Sequence, residues 1–117
     1  YIEDIETRMI ANYAAQGIDV TATRRLDDKG NYSFATYPAA RVGAMVEEVA
    51  ASEPDAIAIV CTNFRGAPEA ARIEEATGIP VLDSVAVTAA HCLRETGLDP
   101  SRVTGWGSVF ARFAALS

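Results

Sequence analysis

Cysteine and histidine are scarce in this chain of 117 residues: two cysteines and one histidine. Cys61 and Cys92 stand far apart and outside any CxxC pair, which makes zinc clusters and disulfide frameworks poor readings. The lone His91 gives little basis for an imidazole metal site, so no metal is expected. Long apolar runs are absent as well: nothing approaches the roughly 18 residues of a membrane span, and no basic stretch leads into an apolar one. A cytoplasmic location, with no membrane partner, is the default expectation. Basic residues are outnumbered, ten Lys and Arg against sixteen Asp and Glu, for a formal charge of -6. That balance argues against a general nucleic-acid surface, which needs clustered positive charge, but leaves room for a local site for a small anion.

Half of the residues are hydrophobic and 22% are charged, a soluble globular composition of single-domain length. Along residues 2–16, Ile2, Ile5, Met9 and Tyr13 recur at helical spacing between acidic residues, and Gly17 closes the segment. Residues 18–24 alternate Ile18, Val20 and Ala22 with Asp19, Thr21 and Thr23, the period of a strand. The aperiodic stretch 26–37 reads as a loop long enough to carry function. Pro38 opens a helix to about Ser52, and 55–61 is the most apolar strand, suited to the middle of a parallel sheet. A helix over 68–77, a short strand over 79–82 and a helix over 85–96, capped by Asp83 or Ser84, complete the alternation. Gly105-Trp106-Gly107 predicts a tight turn, and Val109, Phe110 and Phe113 a terminal helix that docks elsewhere. The whole predicts an α/β domain over 1–117 with a three- to four-stranded parallel sheet flanked by helices. It opens on a helix with no initiator Met and no strand before it, which suggests a fragment.

Chemistry concentrates where the apolar run Asp55-Ala56-Ile57-Ala58-Ile59-Val60 ends in Cys61-Thr62-Asn63-Phe64-Arg65-Gly66. The carboxyl ends of strands form the ligand crevice of an open α/β sheet, and a following helix start offers N–H groups to an anion. Cys61 there reads either as an active thiol or as a small buried core residue. Thr62 and Asn63 read as donors to a carboxylate or as helix caps. Asn31, after Gly30, equally forms a turn. Tyr1, as the first residue, reads from position alone as a chain end. Cys92 is expected on the inner, core face of its helix, and His91 beside it as a surface residue. Arg24-Arg25 reads as a solvated strand end rather than an anion clamp, and Trp106 as an anchor or interface aromatic.

The residues from Cys61 to Arg65, together with Glu74, Thr77-Gly78-Ile79-Pro80-Val81, Asp83-Ser84 and His91, Leu93-Arg94, Gly97, resemble the aspartate/glutamate racemase superfamily, in its maleate cis-trans isomerase and arylmalonate decarboxylase branch. The resemblance covers nearly the whole chain and implies the second half of a pseudo-symmetric, Rossmann-like two-domain protein. An N-terminal half of the same protein would then be its partner. It further implies cofactor-independent isomerisation of a small dicarboxylate, with Cys61 catalytic and Tyr1, Asn31, Thr62 and Asn63 binding the substrate. Decarboxylation of an arylmalonate or racemisation of an amino acid stands as the alternative. Ser84 is followed by Val85-Ala86 where the isomerases carry Asn-Gln. Outside that superfamily, the same residues fit a non-catalytic α/β ligand-binding module, and a redox-sensing thiol would need Cys92 as resolving partner. If the chain is such a half, apolar surface left exposed by the missing first strand and partner half predicts association, as a homo-oligomer.

Overall fold

The apolar run expected as the central strand forms hydrogen-bonded strand only over Ile57–Ile59 in the computed structural model, which describes residues 1–116. In chain order the elements are α1 (Glu3–Ala15), α2 (Asn31–Phe34), α3 (Ala39–Ala50), β1 (Ile57–Ile59), α4 (Ala67–Thr77), β2 (Val81–Asp83), α5 (Ser84–Glu95), a single 3-10 turn (Pro100–Arg102) and α6 (Val109–Ala115). Strands β1 and β2 run parallel, with Ile57 opposite Val81 and Ile59 opposite Asp83. Parallel neighbours need a crossover connection, and α4 supplies it.

Two apolar clusters hold the layers together. On one face of the sheet, Val42, Val46 and Ala50 recur every four residues along α3 and meet Ala70 and Ile73 of α4 and Ile57, Ile59 and Val81 of the strands. On the other, Ala86 and Ala90 of α5 pack against Val109 and Phe110 of α6, so the terminal helix docks on α5. Ile73 is fully enclosed. Its replacement by alanine removes three buried carbons from a packed site and is expected to cost about 2–5 kcal/mol in a urea melt.

Asp83 ends β2 and caps α5, its Oδ2 accepting from the N–H groups of Val85 at 2.9 Å and Ala86 at 3.1 Å. Glu74 of α4 ties the second half together: it accepts from Val81 N at 2.9 Å and from Ser108 N at 2.8 Å. Gly107 is required there. It has φ 85°, and a Cβ on it would sit 2.9 Å from Glu74 Oε2.

The α/β class with a parallel sheet flanked by helices stands, and the expected helices form within a residue or two of their sequence bounds. Three expectations change. Residues 18–24 are not a strand: they pair with no neighbouring strand, and among the described residues the sheet has two hydrogen-bonded strands rather than three or four. Alternation favours an extended chain, yet a strand exists only with a neighbour about 4.8 Å away, and a cleft of about 970 Å³ separates this segment from β1. The strand expected over 79–82 is Val81–Asp83 instead, because Pro80 has no N–H to give a ladder. Cys92 is exposed rather than core, since α5 turns Ala86 and Ala90 inward.

Candidate active site

Cys61 lies two residues beyond β1, is 6% exposed, and is followed by a turn rather than by a helix. Its backbone N–H donates to Ser84 Oγ at 3.2 Å, and that hydroxyl donates to Ile59 O at 2.6 Å. The first side chain of α5 thus staples the strand end that carries the thiol. Helix α4 begins only at Ala67, with Gly66 at its N-cap, so neither Thr62 nor Asn63 caps it. Gly66 is fixed by close approach: a Cβ there would meet Ile59 Cδ1 at 2.6 Å and Asp83 Oδ1 at 2.9 Å. That Asp83 oxygen is buried without a hydrogen-bond partner, and burial raises the carboxyl's pKa against the lowering effect of the two N–H groups on Oδ2.

Tyr1 reaches the same place from the start of α1. Its phenol sits against the Cys61 side chain, and its pKa is raised by burial first, then by the charge of a Cys61 thiolate and by the hydrogen bond the pair can share. An aromatic relay fixes the neighbourhood: Tyr1 packs edge-on to Phe34 at 5.5 Å, Phe34 to Phe64 at 5.5 Å, and Phe64 to Tyr37 at 6.1 Å. Phe34 is the buried anchor of the short helix α2. The Asn63 amide donates from Nδ2 to the backbone carbonyl of Asn31 at 2.9 Å, binding the 26–37 loop to the turn after Cys61. Tyr1 and Cys61 therefore come together, Asn31 and Asn63 come together, and Phe34 and Phe64 join the two pairs. Thr62 and Asn63 are both exposed.

Asp28 organises this loop and was not among the residues singled out from sequence. It accepts from Gly30 N at 2.8 Å, Ser33 Oγ at 2.8 Å and the Tyr37 hydroxyl at 3.1 Å. The Asp28-Lys29-Gly30 spacing of an Asx turn was the available signal. These donors, Gly30 N–H first, lower its carboxyl pKa below the ordinary 3.8. A depressed carboxylate stabilises the fold above its unfolded pKa and loses that contribution as pH falls through the folded value. Asp28→Ala is expected to make the amide of Gly30 exchange faster at neutral pH, and acidification well below pH 4 is expected to do the same to the unaltered chain; proton exchange by NMR reads both.

Arg24 and Arg25 take the solvated role. Arg24 pairs with Glu48 at 2.8 Å, and Arg25 with Asp27 at 2.7 Å and Glu6 at 3.2 Å, leaving no clamp at the thiol. His91 is exposed and packs edge-on to Phe113.

Residues 1–110 match the arylmalonate decarboxylase family. The chain belongs to that family. This arylmalonate decarboxylase family member is also similar to two solved structures of the maleate cis-trans isomerase of Nocardia farcinica. One is a cysteine-to-serine mutant with a covalently bound succinylcysteine intermediate, 26% identical with a TM-score of 0.86. The other, bound to TRIS, is 27% identical with a TM-score of 0.87. The match takes in 96% and 99% of this chain but 46% and 47% of those chains, so the family member described here spans about half the length of the isomerase. No curated protein matches it.

Proposed function

We propose that this chain is the Cys61-bearing half of a cysteine-dependent, cofactor-independent isomerase of a small dicarboxylate, of the maleate-to-fumarate type. The observation that carries the reading is the meeting of a buried thiol and a phenol at the end of β1, beneath a loop joined to the next turn through Asn63 and Asn31. A thiol at that point can pass a proton to carbon, and the Tyr1 hydroxyl with the exposed amide of Asn63 can hold a carboxylate. The succinylcysteine of the Nocardia farcinica relative supports cysteine addition to a four-carbon dicarboxylate.

In this reading a thiolate from a partner half attacks one alkene carbon of maleate. The C–S bond forms as the π pair moves to the neighbouring carbon, where the adjoining carboxylate takes it up as an enediolate. Cys61 gives its proton to that carbon, leaving a succinyl thioether and a Cys61 thiolate. Rotation about the new single bond follows. The Cys61 thiolate removes a proton, the C–S bond breaks, and fumarate leaves with both thiols returned to their starting states.

The family match favours a second reading on the same residues. There an arylmalonate loses CO₂, and Cys61 protonates the resulting enediolate. Offering maleate, phenylmalonate and aspartate to the protein with both halves present, and following products by proton NMR in D₂O, where racemisation shows as loss of the aspartate Cα–H signal, separates isomerase, decarboxylase and racemase. Turnover of maleate alone is expected. Turnover of phenylmalonate alone would replace the first reading by the second, and turnover of none would end both.

A further inference from the structure

The first side chain of α5, Ser84, takes no part in the proton transfer assigned to Cys61. Its hydrogen bonds give it a different task. Rungs of a parallel ladder recur at every second residue of a strand. Ile57 N–H donates to Pro80 O at 2.8 Å, and the register runs from Ile57 opposite Val81 to Ile59 opposite Asp83. Continued in that register, the ladder would send Cys61 N–H to the carbonyl of residue 84. That carbonyl is turned into α5 instead, where it accepts from Thr88 Oγ1 at 2.8 Å. The Ser84 hydroxyl takes its place. Its oxygen accepts from Cys61 N–H at 3.2 Å, and its proton goes to Ile59 O at 2.6 Å. Only a side chain that donates and accepts at one atom can hold both groups, and a hydroxyl does so.

We propose that Ser84 is a positioning residue for Cys61: its hydroxyl adds a last rung to the β1–β2 ladder and so holds the thiol against Tyr1 while the chain turns away. This role rests on the reading in which Cys61 moves a proton. Three further observations carry it. Strand β1 ends at Ile59, and no backbone–backbone hydrogen bond reaches Cys61 among the described residues, so the hydroxyl is what ties its backbone to the sheet. Ser84 is itself fixed from behind, because Asp83 is buried at the end of β2 and caps the N–H groups of Val85 and Ala86. The far end of the turn returns to the same place, where Gly66 approaches Ile59 and Asp83 too closely for a Cβ. Residues 61–66 are thereby clamped at both ends on the paired residues Ile59 and Asp83. Such a clamp matters to rate, since a displacement of about 1 Å in a reacting group can cost roughly 100-fold.

Ser84→Ala removes the rung, and Ser84→Thr keeps the hydroxyl. In the full chain, Ser84→Ala is expected to speed exchange of the Cys61 amide about 10-fold by NMR, the effect of one lost hydrogen bond on local opening. The same opening bares the thiol, so alkylation of Cys61 by iodoacetamide is expected to rise about 10-fold by peptide mass spectrometry, with exposed Cys92 unchanged as the internal control. With both halves present, kcat for maleate is expected to fall roughly 10- to 100-fold while KM stays within about threefold. Ser84→Thr is expected to restore all three. An amide or thiol of Cys61 that does not respond to Ser84→Ala overturns the proposal, as does an unchanged kcat, or a fall in kcat that Ser84→Thr shares. Should Ser84→Ala fail to fold by circular dichroism, Ser84→Thr is compared with Ser84→Val, which has the same shape without the hydroxyl, and equal alkylation of Cys61 in that pair overturns it. If the unaltered protein turns over no substrate, the reading of Cys61 falls, whereas exchange and alkylation need no substrate and by themselves uphold or overturn the hold of Ser84 on the thiol.

Discussion

Cys61→Ser is expected to lower maleate turnover by about 10²- to 10⁴-fold, the range that a positioned proton-transfer group contributes. Serine matches the thiol in shape, and the bond from the backbone N–H of residue 61 to Ser84 Oγ does not involve the side chain. Folding is therefore expected to survive, and the loss falls on the proton. A serine hydroxyl neither gives up its proton nor holds the resulting charge as a thiol does, so protonation of the enediolate slows while substrate binding, which the reading assigns to Tyr1 and Asn63, is retained. The measurement is initial rate by proton NMR with circular dichroism on the same samples. KM close to that of the unaltered protein with a collapsed kcat is the expected pattern. Unchanged turnover in a folded variant would sink every reading in which Cys61 handles a proton. Cys92→Ser is the matched control: Cys92 is exposed on α5, and its loss is expected to leave kcat intact.

The largest stability effect outside the apolar core is expected at Glu74. Its two carboxylate oxygens serve three donors from distant parts of the chain: Ser108 N on Oε1, and Val81 N with Ser108 Oγ at 3.2 Å on Oε2. Through them α4, the first residue of β2 and the turn entering α6 are held in one arrangement. Removing the carboxylate leaves two backbone N–H groups without their acceptor in a half-buried site. Hydrogen bonds to a charged group contribute more than neutral ones, and an orphaned donor costs its full desolvation, so Glu74→Ala is expected to destabilise by about 2–4 kcal/mol. Glu74→Gln is expected to lose about half of that, because one amide oxygen remains to accept while the NH₂ group opposes a donor. Urea melts of both variants check the order. Equal stability of Glu74→Ala and the unaltered chain would show that the three bonds merely exchange for water. The Ser108 amide, followed by exchange, is expected to open first in both variants, since it lies farthest in sequence from its acceptor.

The helices were legible from local pattern because their signals are local. Val42, Val46 and Val49 mark the inner face of α3 at helical spacing, and the Asp83 cap of α5 is a two-residue statement. The thiol at the end of β1 was legible for a related reason: an apolar run ending in Cys61 places that residue at a strand's carboxyl end whatever the neighbours do. Asp28 was missed because its three donors, though close in sequence, meet only when the loop folds over Phe34. Glu74 drew notice only through family resemblance, because the atoms it binds at Ser108 lie thirty-four residues away.

Legible from local pattern alone were the order of the main helices, the inner face of α3 and the place of Cys61 at a strand's end, all consequences of short-range periodicity and chain direction. Tertiary structure decided that residues 18–24, with a strand's alternation, remain unpaired, that Cys92 is exposed while Cys61 is buried, and that Tyr1 meets the thiol. The reason is the same in each case. Pairing, burial and proximity belong to two segments at once, and no property of either segment alone specifies the distance between them.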